Sequence, residues 1–255
     1  MSRQSSSGAG AITGRIPDPL LAVVVALSLA ALGLGGGSLV GLAVSEALAA
    51  LGVELSVIPA TILSTLLLQG VAFGGLSLLY LSYRDVSPIE YLGVRVPDLE
   101  GWMYAAAGYI LAFVTAFSLI FVVVFLLDLS PAQNRAAELG EQDPRVFLVL
   151  VVLAILVIGP GEELLFRGIV QGRLRETFSA PVAIVLATAI FAGIHWTSLA
   201  GPVSGRALTV TMLFVPGLVF GITYEVTDNL VVPSLIHGAY NATLFTLAYL
   251  SLAFG

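Results

Sequence analysis

The stretch VFLVLVVLAILVIGPGEELLFRGIV, from Val146 to Val170, decides how the rest of the chain is interpreted. It is long enough to cross a bilayer as a helix, which takes about 20 apolar residues. Its second half carries two carboxylates and an arginine, Glu162, Glu163 and Arg167. Charged groups are costly in hydrocarbon, so a charged cluster within a span indicates a functional site.

The composition of the whole chain places it in the membrane class. Of its 255 residues, 58% are hydrophobic and 10% are charged, whereas a soluble domain has about 25% charged residues. We therefore predict an all-α, polytopic transmembrane helical bundle of seven to eight spans. The seven apolar segments cover about residues 20–48, 57–80, 102–127, 146–170, 181–196, 207–224 and 231–253. The first is long and rich in glycine, so a break within it would give the eighth piece.

The chain organisation is predicted from polarity and from the loop arginines. Residues 1–15 are rich in Ser and Gly and are predicted to be a disordered tail. Residues 16–255 form one transmembrane domain, with a catalytic core at about 146–245. If the N-terminus is inside, the inside segments hold Arg3, Arg15, Arg84, Arg95, Arg173 and Arg175, and the outside segments hold Arg135, Arg145 and Arg206. The positive-inside rule then predicts a multi-pass protein of the cell membrane with a cytoplasmic N-terminus.

The absence of cysteine excludes disulfides, thiolate catalysis and zinc–thiolate sites. The chain has 10 basic and 16 acidic residues, a balance that argues against a nucleic-acid partner. The expected partners are the lipid bilayer and a membrane-associated protein or peptide substrate. Lysine is absent, and together with the acidic excess this suggests a salt-adapted, halophilic source.

Few ionisable residues fall inside the predicted spans, and each is a candidate for the site. With one neutral amide they are Glu162, Glu163, Arg167, His195, His237 and Asn241. Glu163 and Arg167 are four residues apart, so they share a helix face and can form an ion pair. Glu162 lies about 100° around the helix and is left free for acid–base work. His237 and Asn241 also share a face, where they could stabilise an oxyanion or help to hold a metal.

Three short motifs resemble those of the CPBP family, which contains CAAX-processing and bacteriocin-processing endopeptidases of the ABI type. They read Glu162-Glu163-x-x-x-Arg167, Phe191-x-x-x-His195 and His237-x-x-x-Asn241. The resemblance implies an intramembrane peptidase of about eight helices, with a water-accessible cavity open toward the cytoplasmic leaflet.

The same resemblance implies a role for each motif residue. Glu162 would activate water with help from His195, and His237 and Asn241 would stabilise the tetrahedral oxyanion. Glu163 and Arg167 would support these groups.

The cofactor is left open by the residues. Zinc could be held by Glu162, His195 and His237, with one position left for water. A metal-free mechanism is preferred, because a chain without cysteine and without a third histidine offers few ligands. Two other functions remain as alternatives: a non-catalytic membrane scaffold or immunity factor on the same fold, and a proton-coupled transporter that uses the carboxylates and histidines as a relay.

Overall fold

The computed structural model describes residues 18–254, so the predicted disordered tail, residues 1–15, lies outside the described residues. The described chain is an almost entirely helical bundle, which confirms the predicted fold class. Its helices are α1 (Asp18–Ala50), α2 (Val57–Tyr83), α3 (Pro88–Tyr91), α4 (Leu99–Leu126), α5 (Arg135–Gln142), α6 (Arg145–Arg175), α7 (Ala180–Ser198), α8 (Val203–Thr227) and α9 (Val231–Phe254). Two short strands, β1 (Gln133–Asn134) and β2 (Leu199–Ala200), pair antiparallel.

Six helices of residues 18–254 are long and apolar enough to cross a bilayer, fewer than the predicted seven to eight. The predicted seventh span is present as α9, a helix of 24 residues, but it is not among these six. Polar residues interrupt its apolar sequence, His237 and Asn241 among them. The lower apolar content of α9 is therefore a consequence of the site residues that it carries.

The glycine run in the first span does not break the helix, because α1 is continuous over 33 residues. A Cβ atom at Gly33 would lie 2.8 Å from Leu165 Cδ2 and 3.1 Å from Phe73 Cδ1. Gly33 therefore allows neighbouring helices to pack closely, as small residues commonly do in membranes, whereas Gly35 and Gly36 have no neighbouring atom within 4 Å. The break that would have given an eighth helical piece is therefore not present in this span.

Helix α6 changes its hydrogen-bonding register on both sides of the carboxylates. A π-helical segment, Ala154–Ile158, precedes a short α-helical segment, Gly159–Glu163, and a second π-helical segment, Leu164–Gln171, follows it. Pro160 lacks an N–H, so it cannot make the usual helical hydrogen bond. Wider π-helical turns recur at functional sites, and here they flank the segment that carries the two glutamates.

Helices α6 and α9 touch backbone to backbone where Gly159 meets Gly238. A Cβ atom at Gly159 would lie 2.8 Å from the amide nitrogen of Gly238, and one at Gly238 would lie 3.0 Å from the carbonyl oxygen of Ala154. No side chain fits between the helices at this point. The close crossing places His237, next to Gly238, beside the carboxylates of α6.

The two ends of the bundle are held by different contacts. At one end Arg84 pairs with Glu176 at 2.8 Å and Arg175 pairs with Glu225 at 2.9 Å. Arg95 reaches the same end, where its guanidinium donates to carbonyl oxygens at the end of α8. The paired strands β1 and β2 lie at the opposite end, near the start of α6. Arginines predicted for one side of the membrane are thus gathered at one end.

Candidate active site

The structure brings all six predicted site residues together in one region of the bundle. Helix α6 supplies Glu162, Glu163 and Arg167, the end of α7 supplies His195, and α9 supplies His237 and Asn241. Glu162, His195, His237 and Asn241 line one cavity, and the other two are joined to it by the contacts below.

Glu163 is fully buried and both of its oxygens are engaged. Arg167 Nε donates to Oε2 at 2.9 Å, which forms the ion pair expected from the four-residue spacing. His237 Nδ1 donates to Oε1 at 2.8 Å. A carboxylate held by two donors in this way is fixed in orientation and ionised form, so Glu163 is unsuited to take up a proton from water.

Glu162 is arranged differently, because one of its oxygens has no partner. Its Oε1 accepts a 2.7 Å hydrogen bond from Gln69 Nε2. Its Oε2 is buried and makes no hydrogen bond within residues 18–254. This oxygen lies 3.7 Å from His237 Nε2 and 4.0 Å from His195 Nε2. These separations are too long for direct hydrogen bonds and suit a bridging water.

The protonation of each imidazole follows from what its Nδ1 contacts. His195 Nδ1 lies 2.8 Å from the carbonyl oxygen of Phe191, an acceptor, so Nδ1 carries a proton. The neutral ring then presents a lone pair at Nε2. His237 Nδ1 donates to Glu163, so its Nε2 can donate a second hydrogen bond only when the ring is an imidazolium.

Aromatic rings fix the orientation of the charged groups. Phe220 stacks on His237, with 4.6 Å between ring centroids and 18° between planes. Phe191 presents its face to Arg167, whose Cζ lies 4.8 Å from the ring centroid, and meets His237 at 87°. The Arg167 Nη1 and Nη2 atoms have no hydrogen-bond partner within residues 18–254. The guanidinium is therefore stabilised by Glu163 and by the aromatic face.

The cavity has a volume of about 510 Å³ and runs from Glu162 toward the end of the bundle that carries β1 and β2. Asn134, Leu199 and Thr209 line it at that end. A cytoplasmic N-terminus would place this end outside, whereas the family resemblance implied a cavity open toward the cytoplasm. Only one of these two expectations can hold, since they assign the same end to opposite sides.

The proposed zinc ligands can be compared with the geometry. Among residues 18–254 no group of three or more His, Asp or Glu side chains is arranged to hold a metal ion. Glu162, His195 and His237 converge, but the donor separations of 3.7 and 4.0 Å leave them more open than a closed ligand set. The zinc site therefore stays a prediction.

Two residues of the site were missed in the sequence. Gln69 lies in the middle of the second predicted span, and its amide was a usable signal, because a polar group within an apolar span needs a hydrogen-bond partner. Phe220 gave no signal, since an aromatic residue in an apolar helix is expected whatever its role. Phe220 belongs to the site because it stacks on the imidazole ring of His237.

Comparison with known proteins adds one finding to this geometry. Residues 144–243 match the family described as Type II CAAX prenyl endopeptidase Rce1-like. This match confirms the resemblance inferred from the three motifs, and it covers α6, α7, α8 and half of α9. No curated protein and no solved structure gives a match.

Proposed function

Because residues 144–243 form an Rce1-like domain within a helical membrane protein, we propose that the chain is an intramembrane endopeptidase that hydrolyses a peptide bond of a membrane-associated substrate. The observation that carries the proposal is the buried, unpartnered Oε2 of Glu162, which faces two imidazoles. A carboxylate in this state is suited to remove a proton from water.

The hydrogen-bonding capacity of the three groups matches a single water molecule. Such a water donates one hydrogen to Glu162 Oε2 and the other to His195 Nε2, and it accepts from the Nε2–H of His237 until the attack, when that N–H turns to the oxyanion. Glu162 takes the proton as the water oxygen bonds to the carbonyl carbon of the scissile peptide. His195 helps by holding the second hydrogen and orienting the oxygen.

The oxyanion formed by this attack is the former carbonyl oxygen, and it needs hydrogen-bond donors to stabilise its charge. His237 Nε2 and the Asn241 amide share a face of α9 beside the cavity, and both can donate. Glu163, which is held by Arg167, fixes the orientation of the His237 ring. As the C–N bond breaks, Glu162 returns its proton to the leaving nitrogen, which yields a carboxylic acid and an amine.

The location and partners of the chain are part of the proposal. The six apolar helices support a multi-pass membrane protein. The arginine distribution supports a cytoplasmic N-terminus. The substrate is then a protein or peptide that reaches the cavity from the membrane or its surface, and a prenylated C-terminus is one form to test because of the matched family's name.

The test is cleavage by purified protein in detergent. A quenched fluorescent peptide panel contains a prenylated C-terminal sequence, the same sequence without the lipid, and an apolar transmembrane sequence. Wild type is compared with Glu162→Gln, which keeps the size of the side chain and removes the base.

We expect wild type to cleave at least one peptide and Glu162→Gln to lose turnover. A non-catalytic scaffold would give no cleavage by either protein. If Glu162→Gln forms product at the wild-type rate, another group activates the water.

A further inference from the structure

Gln69 lies outside the matched residues 144–243, yet it contacts the proposed base directly. Its Nε2 donates to Glu162 Oε1 at 2.7 Å, and the two residues are only 6% and 7% exposed. An ionised carboxylate only accepts hydrogen bonds, so the amide nitrogen of Gln69 must be the group that faces it. We infer that Gln69 is a positioning residue, which holds Oε1 of Glu162 so that Oε2 alone serves as the base.

The packing around Gln69 permits this close contact. A Cβ atom at Gly161 would lie 2.8 Å from the carbonyl oxygen of Gln69 and 3.1 Å from its Cβ. Helix α2 can therefore approach α6 at this level because position 161 has no side chain. One turn further on, Phe73 meets Phe166 edge to face, with 5.8 Å between centroids. These contacts fix α2 against α6 at the height of Glu162.

The backbone of α2 is itself unusual at this position. Gln69 belongs to a π-helical segment, Leu66–Gly74, and such segments recur at functional sites. A neutral amide in a membrane span is costly unless it is hydrogen-bonded. Here the amide of Gln69 donates its hydrogen bond to Glu162, the carboxylate that the proposed mechanism uses.

The consequence for catalysis follows from the two equivalent oxygens of a carboxylate. With Oε1 held by Gln69, the free Oε2 lies 3.7 Å from His237 Nε2 and 4.0 Å from His195 Nε2. Without Gln69, Oε1 is a buried acceptor with no partner, and the carboxylate can rotate toward the imidazoles. A direct bond to a histidine would then replace the water-holding arrangement.

A purely structural role is the competing explanation, in which Gln69 only ties α2 to α6. The two explanations predict different effects of substituting Gln69. A purely structural tie affects only stability and the amount of folded protein, whereas a positioning residue also lowers kcat of the folded enzyme while KM is kept.

The first experiment rests on the proposed function and uses Gln69→Met, which keeps the length of the side chain and removes the donor. Ser77→Ala is the matched control, because Ser77 is fully buried in the same helix and its hydroxyl makes no hydrogen bond within residues 18–254. We expect kcat of Gln69→Met to fall about 100-fold, the scale of a misplaced catalytic group, with KM within about twofold of wild type. Ser77→Ala should match wild type. Wild-type kcat in Gln69→Met, or an equal loss in the control, would overturn the inference.

A second experiment does not depend on turnover. The melting temperatures of Gln69→Met, Glu162→Met and the double variant form a thermodynamic cycle. We expect Gln69→Met to lower the melting temperature in the wild-type background and to have little effect once Glu162 is replaced. Additive effects would show that Gln69 does not hold Glu162. If wild type cleaves no peptide but the cycle shows coupling, the proposed function fails while the contact between the two side chains stands.

Discussion

Glu163 and His237 are 74 positions apart in the chain, and their side chains share a 2.8 Å hydrogen bond inside the bundle. One carboxylate thus accepts from two donors, because Arg167 Nε donates to its other oxygen at 2.9 Å. The adjacent Glu162 is left with a free oxygen. Two neighbouring glutamates thus have different tasks, set by their contacts.

Arg167→Ala should damage folding as well as activity. The substitution leaves Glu163 as a buried charge without its ion-pair partner, and breaking a buried pair costs roughly 3–5 kcal/mol. Glu162→Gln should instead leave folding nearly intact, since the new amide oxygen can still accept from Gln69. It should abolish turnover because the base is lost. Melting temperatures and cleavage rates of the two purified variants check this. Equal destabilisation by both would show that the roles of the two glutamates are assigned wrongly.

Asn241→Ala should lower kcat strongly and change KM little. Its amide is proposed to donate to the oxyanion, and loss of one such donor costs about 100- to 1,000-fold in kcat. Steady-state kinetics on the best peptide measures both constants. Thr246→Ala is a suitable control, because Thr246 lies on the same helix and its hydroxyl bonds only the Ala242 carbonyl. A rise in KM without a fall in kcat would assign Asn241 to substrate binding instead.

The role of His237 can be tested through metal content. In the metal-free mechanism, purified wild type carries no stoichiometric metal, and activity survives chelation and extensive dialysis. His237→Ala then loses activity that added zinc or cobalt does not restore. Elemental analysis of wild type beside His237→Ala provides the measurement. A stoichiometric metal in wild type that is absent from the variant would make His237 a ligand and Glu162 a ligand or metal-assisted base.

The side on which the cavity opens can be determined by labelling, because the chain has no native cysteine. Single cysteines at Val96 and Arg135, both exposed, should react with an impermeant reagent from opposite faces of the membrane. The arginine distribution predicts that Val96→Cys is labelled from the cytoplasm. Arg135→Cys then marks the outer face, toward which the cavity runs.

Labelling of Arg135→Cys from the cytoplasm would reverse this orientation and would agree with the opening implied by the family resemblance. Labelling of both positions from one face would contradict the arrangement of the helices. Unsealed membranes, in which both cysteines should react, control for reactivity.

The features that the sequence predicts well are those set by local spacing or by hydropathy. Apolar runs of sufficient length had to be helices, since a bilayer offers the backbone no other hydrogen-bond partners. The four-residue spacing of Glu163 and Arg167 likewise determined their ion pair. Both conclusions need only the order of residues within one helix.

The features that were missed depend on neighbouring helices. The bond between Glu163 and His237 depends on the crossing at Gly159 and Gly238. The contact of Gln69 with Glu162 depends on how α2 is positioned along α6. No spacing within one helix carries this information.

The order of the site helices has a consequence for biogenesis. The ribosome delivers Gln69 first, then Glu162 and Glu163, then His195, and His237 only with α9. The proposed site is therefore complete only when α9, the last of its helices to be synthesised, has packed against α6. In the proposed function, this order keeps the chain inactive while it is being inserted into the membrane.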